Sequence, residues 1–159
     1  MTSGNIIKEE LKIMKYTKTK DVKSPVRANP TDAGIDFYIP NDFEETTLLP
    51  NEDILIDSGI KVVVPKGYAL IFKEKSSVAT KRKLTIGACV VDADYRGNVH
   101  FHLFNNGKES QTISAGDKIV QGLLIPVNLD NLEEISNDEY ACFENTSRGA
   151  GGFGSTGNN

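Results

Sequence analysis

From Lys15 to Val127 the chain runs as short apolar or alternating segments, each cut off by Pro, Gly, Asn or Asp. Side chains on a strand point alternately to two faces, and those four residue types end strands by making turns. A chain punctuated in this way folds as an all-β protein, a sandwich or a barrel. The expected strands are Ile35–Ile39, Asp53–Asp57, Ile60–Val64, Tyr68–Lys73, Leu84–Val91, Asn98–Phe104, Thr112–Ser114, Ile119–Val127 and Leu132–Ile135. Turns are expected at Asp57-Ser58-Gly59 and at Lys66-Gly67 after Pro65. Ile119–Val127 is apolar on both faces apart from Gln121 and Gly122, so burial on both sides is expected, by its own sheet or by another subunit.

Two stretches depart from the strand pattern. Ser76–Lys83 lacks alternation and reads as one short helix, with Ser76 or Ser77 as its N-cap. From Asn128 onward the chain turns acidic and sparsely apolar, with Asp130, Glu133, Glu134, Asp138, Glu139 and Glu144, which describes an arm leaving the core. The division expected is an N-terminal extension (1–13), a β core (14–127), a C-terminal arm (128–147) and a glycine-rich lid (148–159). With 159 residues there is room for one core.

Composition narrows the function classes. Hydrophobic residues make up 38% and charged residues 25%, a balance suited to a soluble globular protein. The net charge of −4 argues against stable nucleic-acid binding, which needs clustered cations; Lys81-Arg82-Lys83 is the one compact basic group and reads as a solvated turn. No apolar run approaches membrane-span length, and Met1–Lys15 does not read as a secretory signal. Cys89 and Cys142 are too far apart to suggest a disulfide framework or a zinc knuckle. An intracellular, soluble protein is expected, cytoplasmic or nuclear, in a cell or in a virus- or phage-infected cell.

The tail Arg148-Gly149-Ala150-Gly151-Gly152-Phe153-Gly154-Ser155-Thr156-Gly157 holds five of the chain's 14 glycines. By composition alone it is a flexible terminus. A plain linker, however, has little use for an Arg at its entrance, a Phe in its middle and a Ser-Thr pair near its end. Successive glycines let backbone N–H groups converge on an anion, hydroxyls add donors, and Arg adds a two-pronged charged clamp. Four further segments carry polar groups at constrained places. Val91-Asp92-Ala93-Asp94-Tyr95-Arg96-Gly97 sets Asp92 directly after an apolar strand end, where partial desolvation suits a general base. Glu74-Lys75-Ser76-Ser77 brings a cation and two hydroxyls to a helix start, a place that favours phosphate. Asp32-Ala33-Gly34-Ile35-Asp36 and Ala115-Gly116-Asp117-Lys118-Ile119-Val120-Gln121 are weak by themselves. His100 and His102 form a His-x-His pair on one strand face. A metal there would have to borrow carboxylates or Cys89, and the reading as two polar strand residues ranks above it.

In this order the five segments resemble the five motifs of the homotrimeric dUTPase family, over nearly the whole chain from Lys15 to Gly157. The resemblance implies a jelly-roll-like β subunit, a homotrimer, and active sites shared between neighbouring subunits. It implies hydrolysis of dUTP to dUMP and pyrophosphate, which limits uracil incorporation into DNA and supplies dUMP. Asp92 would be the base for a water attacking the α-phosphorus. Mg²⁺ would bridge triphosphate oxygens, since it prefers phosphate and water to an all-protein cage, with Asp36 steadying it through water. Lys75, Ser76, Ser77, Gln121, Arg148, Gly154, Ser155 and Thr156 fall in the phosphate-binding set. Uracil would meet main-chain groups around Ala88, Val90 and Val91 and near His100. Tyr95 would lie beneath the deoxyribose and Phe153 over the base.

The chain departs from the family at two places. Glu74-Lys75-Ser76 stands where Pro-Arg-Ser is usual, which keeps a charge but loses Arg's planar fork. Cys89 stands where Gly is common. The runner-up readings are a dCTP deaminase-like enzyme, which would release ammonia from dCTP, and a non-catalytic, nucleotide-dependent regulatory binding protein.

Overall fold

The computed structural model describes residues 13–151, among which ten strands and two short helices are found. The strands are β1 (Lys15–Lys18), β2 (Ile35–Phe37), β3 (Thr46–Leu48), β4 (Asp53–Val63), β5 (Tyr68–Glu74), β6 (Leu84–Ile86), β7 (Val90–Val91), β8 (Asn98–Asn105), β9 (Gln111–Ile113) and β10 (Val120–Pro126). The helices are α1 (Val78–Arg82), wound as a π-helix, and α2 (Asn137–Ala141). One antiparallel sheet has the order β1-β4-β8-β6 and a second the order β2-β10-β5-β7, with β3 and β9 as a separate pair. The all-β expectation therefore holds for the described residues.

Three phenylalanines lock the two large sheets together. Phe37 on β2 and Phe72 on β5 meet Phe101 of the opposite sheet edge-on, with ring centroids 5.0 to 6.1 Å apart. Edge-to-face rings place positive ring edges on negative faces, adding direction to the burial of apolar area. Leu70, Leu84, Leu103, Ile39 and Ile113 complete a core from which water is excluded.

Several expected boundaries move. Asp57-Ser58-Gly59 does not end a strand but forms a bulge inside the eleven-residue β4, where the register with β8 shifts. The Gly59 N–H is met by the Asp57 carboxylate at 2.9 Å, and Gly59 takes a positive φ of 67°. Leu84–Val91 is two strands rather than one, because β6 pairs with β8 in one sheet and β7 with β5 in the other. Gly87–Cys89 is thus a crossing between sheets, and β7 and β8 are not a simple hairpin.

Leu132–Ile135 forms no strand. The arm instead carries α2, whose start is a capping box: the Ser136 side chain accepts from the Glu139 N–H at 3.2 Å, and the Glu139 carboxylate accepts from the Ser136 N–H at 2.9 Å. The helix at Ser76–Lys83 exists, but no side-chain bond from Ser77 caps it. It ends on Lys83, held left-handed at φ 56°. The chain divides into two compact units that meet between Asn128 and Leu129. Residues 1–12 and 152–159 lie outside the described residues, so the extension up to Lys12 and the positions Phe153, Gly154, Ser155 and Thr156 of the lid carry no structural statement. No helix among the described residues is long and apolar enough to cross a membrane.

Candidate functional site

The crossing between the sheets opens a cleft of about 180 Å³. Its walls are Phe72 from β5, the segment Ala88–Val91 that ends in β7, and Asn98, Val99 and His100 from the start of β8, with Asp92 and Tyr95 on the connecting turn. Expected base- and sugar-site residues therefore come together: Ala88, Val90, Val91, Asp92, Tyr95 and His100. The wall is fixed from both sides. On one side the Phe72 N–H donates to the Cys89 carbonyl at 2.8 Å; on the other the Gly87 N–H donates to the His102 carbonyl at 2.8 Å.

The turn is built around Tyr95. The Tyr95 N–H donates to the Asp92 carbonyl at 3.2 Å, and the Tyr95 hydroxyl donates to the Asn98 carbonyl at 2.8 Å. Arg96 donates to the Ala93 and Tyr95 carbonyls, each at 2.8 Å. Gly97 is the residue this packing demands, since a Cβ there would sit 2.3 Å from the Tyr95 hydroxyl oxygen and 2.6 Å from its ring. With backbone and neighbouring side chains holding the turn, the Asp92 carboxylate is left exposed at the mouth of the cleft. The partial desolvation expected from its place after an apolar strand is absent in the single chain, because the chain reverses at once and carries the side chain outward.

A second cavity, about 370 Å³, is lined by Asp32, Ala33, Gly34, Asp36, Lys75 and Gln121, together with Ala28 and Leu123. It gathers the expected phosphate and metal residues of three segments. Asp36 lies on β2, opposite Gln121 of the central strand β10. The Gln121 amide donates to the Glu74 carbonyl at 3.1 Å, and its oxygen lies where a Cβ on Gly34 would be 2.2 Å away. Gly34 is thus required by the side chain that fills the same space.

Asp36 is buried, with its side chain 4% exposed, and lies between two ammonium groups. Lys75 bonds one carboxylate oxygen, and Lys118 meets the other at 3.1 Å with the geometry of an ion pair rather than a directed hydrogen bond. Burial pushes the carboxyl up, but the bonds and charges of Lys75 and Lys118 together outweigh it, and the group is held below the ordinary carboxylate range. Lys118 itself is pushed up by its pairing with Asp36. Lys118 went unassigned in the sequence reading, although its segment was singled out, because pairing across strands leaves no local mark.

A depressed carboxyl contributes stability that is complete above its unfolded value and is lost as pH falls through the folded one. Asp57 is also held low: burial raises it, and the Gly59 N–H, Asn98 and Lys20 more than compensate. We therefore expect the urea midpoint to fall as pH drops from about 5 toward 3. In Asp36→Asn this dependence should be shallower; an unchanged slope would show that Asp36 is not coupled to folding.

Ser76 and Ser77 are exposed at the entry to α1 and line neither cavity. Arg148, also exposed, donates to the Gly151 carbonyl at 2.8 Å, where Gly149 turns the chain with a φ of 51°. Among the described residues no three His, Cys, Asp or Glu side chains converge as a metal cage. With both oxygens of Asp36 engaged, the residues present fit Mg²⁺ held through water and not by direct coordination. No residue is common to the two cavities, so each presents one half of the expected site.

Similarity to known proteins shows the family of the chain. The dUTPase family model matches residues 20–157. The deoxyuridine 5'-triphosphate nucleotidohydrolase of Mus musculus is 37% identical over 86% of this chain and 79% of its own length. The Wolbachia protein of the same name is 37% identical over 96% of each chain. The dUTPase of Staphylococcus bacteriophage 80alpha, solved with dUPNHPP, superposes with a TM-score of 0.78 at 26% identity, covering 92% of this chain and 99% of that one. A match that runs through both cavities and all five motifs, joined to near-full-length identity with these relatives, means that the chain belongs to the dUTPase family.

Proposed function

We infer that the chain hydrolyses dUTP to dUMP and pyrophosphate, with Asp92 as the base that takes the proton of the attacking water. Activity as a dUTP diphosphatase follows from its family. The observation that carries the rest is the cleft whose wall is the segment Ala88–Val91 and whose mouth holds a free carboxylate, Asp92. A wall of main-chain donors and acceptors reads a base by hydrogen bonds and leaves its own groups unpaired when cytosine enters. Tyr95, held at both its N–H and its hydroxyl, supplies a rigid floor for a deoxyribose and no space for a 2′-hydroxyl.

Water at the cleft mouth would lose a proton to Asp92 as its oxygen attacks the α-phosphorus in line with the departing pyrophosphate. Lys75 and Gln121, with Arg148, Ser76, Ser77, Gly154, Ser155 and Thr156, would bind the phosphates; Lys75 is a point charge without the fork of Arg. When bound, Mg²⁺ draws charge from the triphosphate oxygens, and Asp36 would orient its water shell. Phe153 would cover the uracil. We propose a homotrimer with shared sites. In its favour, the two cavities of one chain have no residue in common, and β10 runs out into exposed Ile125 and Val127, apolar side chains that a neighbouring subunit would cover.

The test is turnover of dUTP, dCTP, dTTP and UTP with Mg²⁺, following pyrophosphate and ammonia. Pyrophosphate from dUTP alone is expected. Ammonia from dCTP, or no turnover of dUTP, would sink this reading.

A further inference from the structure

Of the His-x-His pair on β8, His102 is left unused by the chemistry above, and the two members do different things. His100 lines the cleft, and its Nδ1 lies 2.9 Å from the Asn98 carbonyl. His102 stands behind the cleft wall. Its Nδ1 accepts the Ala88 N–H at 3.2 Å, and its Nε2 lies 3.0 Å from an Asp53 carboxylate oxygen on β4. A backbone N–H can only donate, so Nδ1 carries no proton and the proton sits on Nε2, directed at Asp53.

This contact falls where the chain needs it. Ala88 lies between β6 and β7, in the stretch that leaves one sheet for the other, so its N–H belongs to neither ladder. The imidazole supplies the acceptor that a neighbouring strand would otherwise provide. The ring is seated against Phe104, with centroids 4.4 Å apart. A Cβ at Gly87 would lie 2.5 Å from both Nδ1 and the Phe104 ring, so the bare backbone of Gly87 is what lets the imidazole reach Ala88.

We propose that His102 is a positioning residue of the nucleobase cleft, holding Ala88 and the crossing segment in the shape the base must meet. The inference rests on the reading of that cleft as the uracil pocket. The charged group that meets His102 is Asp53. His100 is turned to Asn98, Asp57 on β4 is taken by Asn98 and Lys20, and residues 87–88 and Phe104 bring only backbone and an apolar ring.

Two measurements test the assignment. At one fixed pH, the Ala88 amide of the parent should be protected from hydrogen exchange, and in His102→Val, which offers no acceptor, it should exchange about tenfold faster or more. In His102→Asn, whose side-chain oxygen can stand in for Nδ1, the Ala88 amide should keep the parent's protection. With dUTP, His102→Val should raise KM about tenfold with kcat within about twofold, while His102→Asn stays within about twofold of the parent in both.

An Ala88 amide as well protected in His102→Val as in the parent, a His102→Val KM equal to the parent's, or Val and Asn variants that weaken binding alike, would each overturn it. Should the Val variant fail to fold, the parent amide alone decides: exchange of Ala88 at the unprotected rate in the parent overturns the assignment. Because the amide measurement needs no substrate, a parent that cannot hydrolyse dUTP would count against the functional reading and not against this one.

Discussion

Replacing Asp92 by Asn should cut dUTP turnover by about 10²- to 10⁴-fold while a non-hydrolysable dUTP analogue still binds within a few fold of the parent. Asn preserves volume and outline but cannot take a proton from water near neutral pH. The fold should not notice the change. The turn at Asp92 is closed by its carbonyl, which accepts the Tyr95 N–H, and the exposed carboxylate is not part of that bond. Parallel measurement of kcat, analogue affinity and melting temperature separates the outcomes. If the variant turns over dUTP at the parent rate, Asp92 is not the base.

Ending the chain after Thr146 should leave a folded core with turnover lowered by about 10²-fold or more. The buried apolar side chains run from Val22 to Val120, so the deletion removes none of the core. What it removes is Arg148 with Phe153, Gly154, Ser155 and Thr156, the groups proposed to close over base and phosphates. Circular dichroism and sedimentation would report an intact assembly. Full activity in the shortened chain would take the tail out of the mechanism.

Where alternation is regular, strand and period agree: β5 and β8 each extend only one residue past the expected end, to Glu74 and Asn105. Alternation is silent, however, about which sheet a strand joins. Leu84–Val91 reads as one run because both halves alternate acceptably, and only the long-range pairing reveals that it changes sheets at Gly87. Strand β1 was invisible for another reason. All four of its side chains are exposed, so it is held by backbone pairing to β4 and buries no apolar face. The arm helix had a readable start in Ser136 and Glu139, but with none of its side chains buried there was no apolar stripe to recognise.

The site divides along the same line. Asp92, Tyr95, Lys75 and Gln121, the residues proposed for the site, were picked out by motif order. The residues that support the cavities were not all legible: Lys118 on Asp36 and His102 behind Ala88 act through space between segments far apart in sequence, and Gly97, although inside its motif, shows its purpose only against the Tyr95 ring. Two of these supports are signalled only as a glycine or a histidine whose purpose becomes visible once its neighbour is known.

Asp36, clasped by Lys75 and Lys118, also bears on how a polyanion is received. The carboxylate acts as a resident counter-ion, so two ammonium charges present an excess of only one to solution. An arriving triphosphate would meet cations already aligned, and would have to compete with an internal anion instead of sodium or potassium ions. Capture should accordingly be steered weakly over long range and depend little on ionic strength, with discrimination falling to the short-range fit of the base.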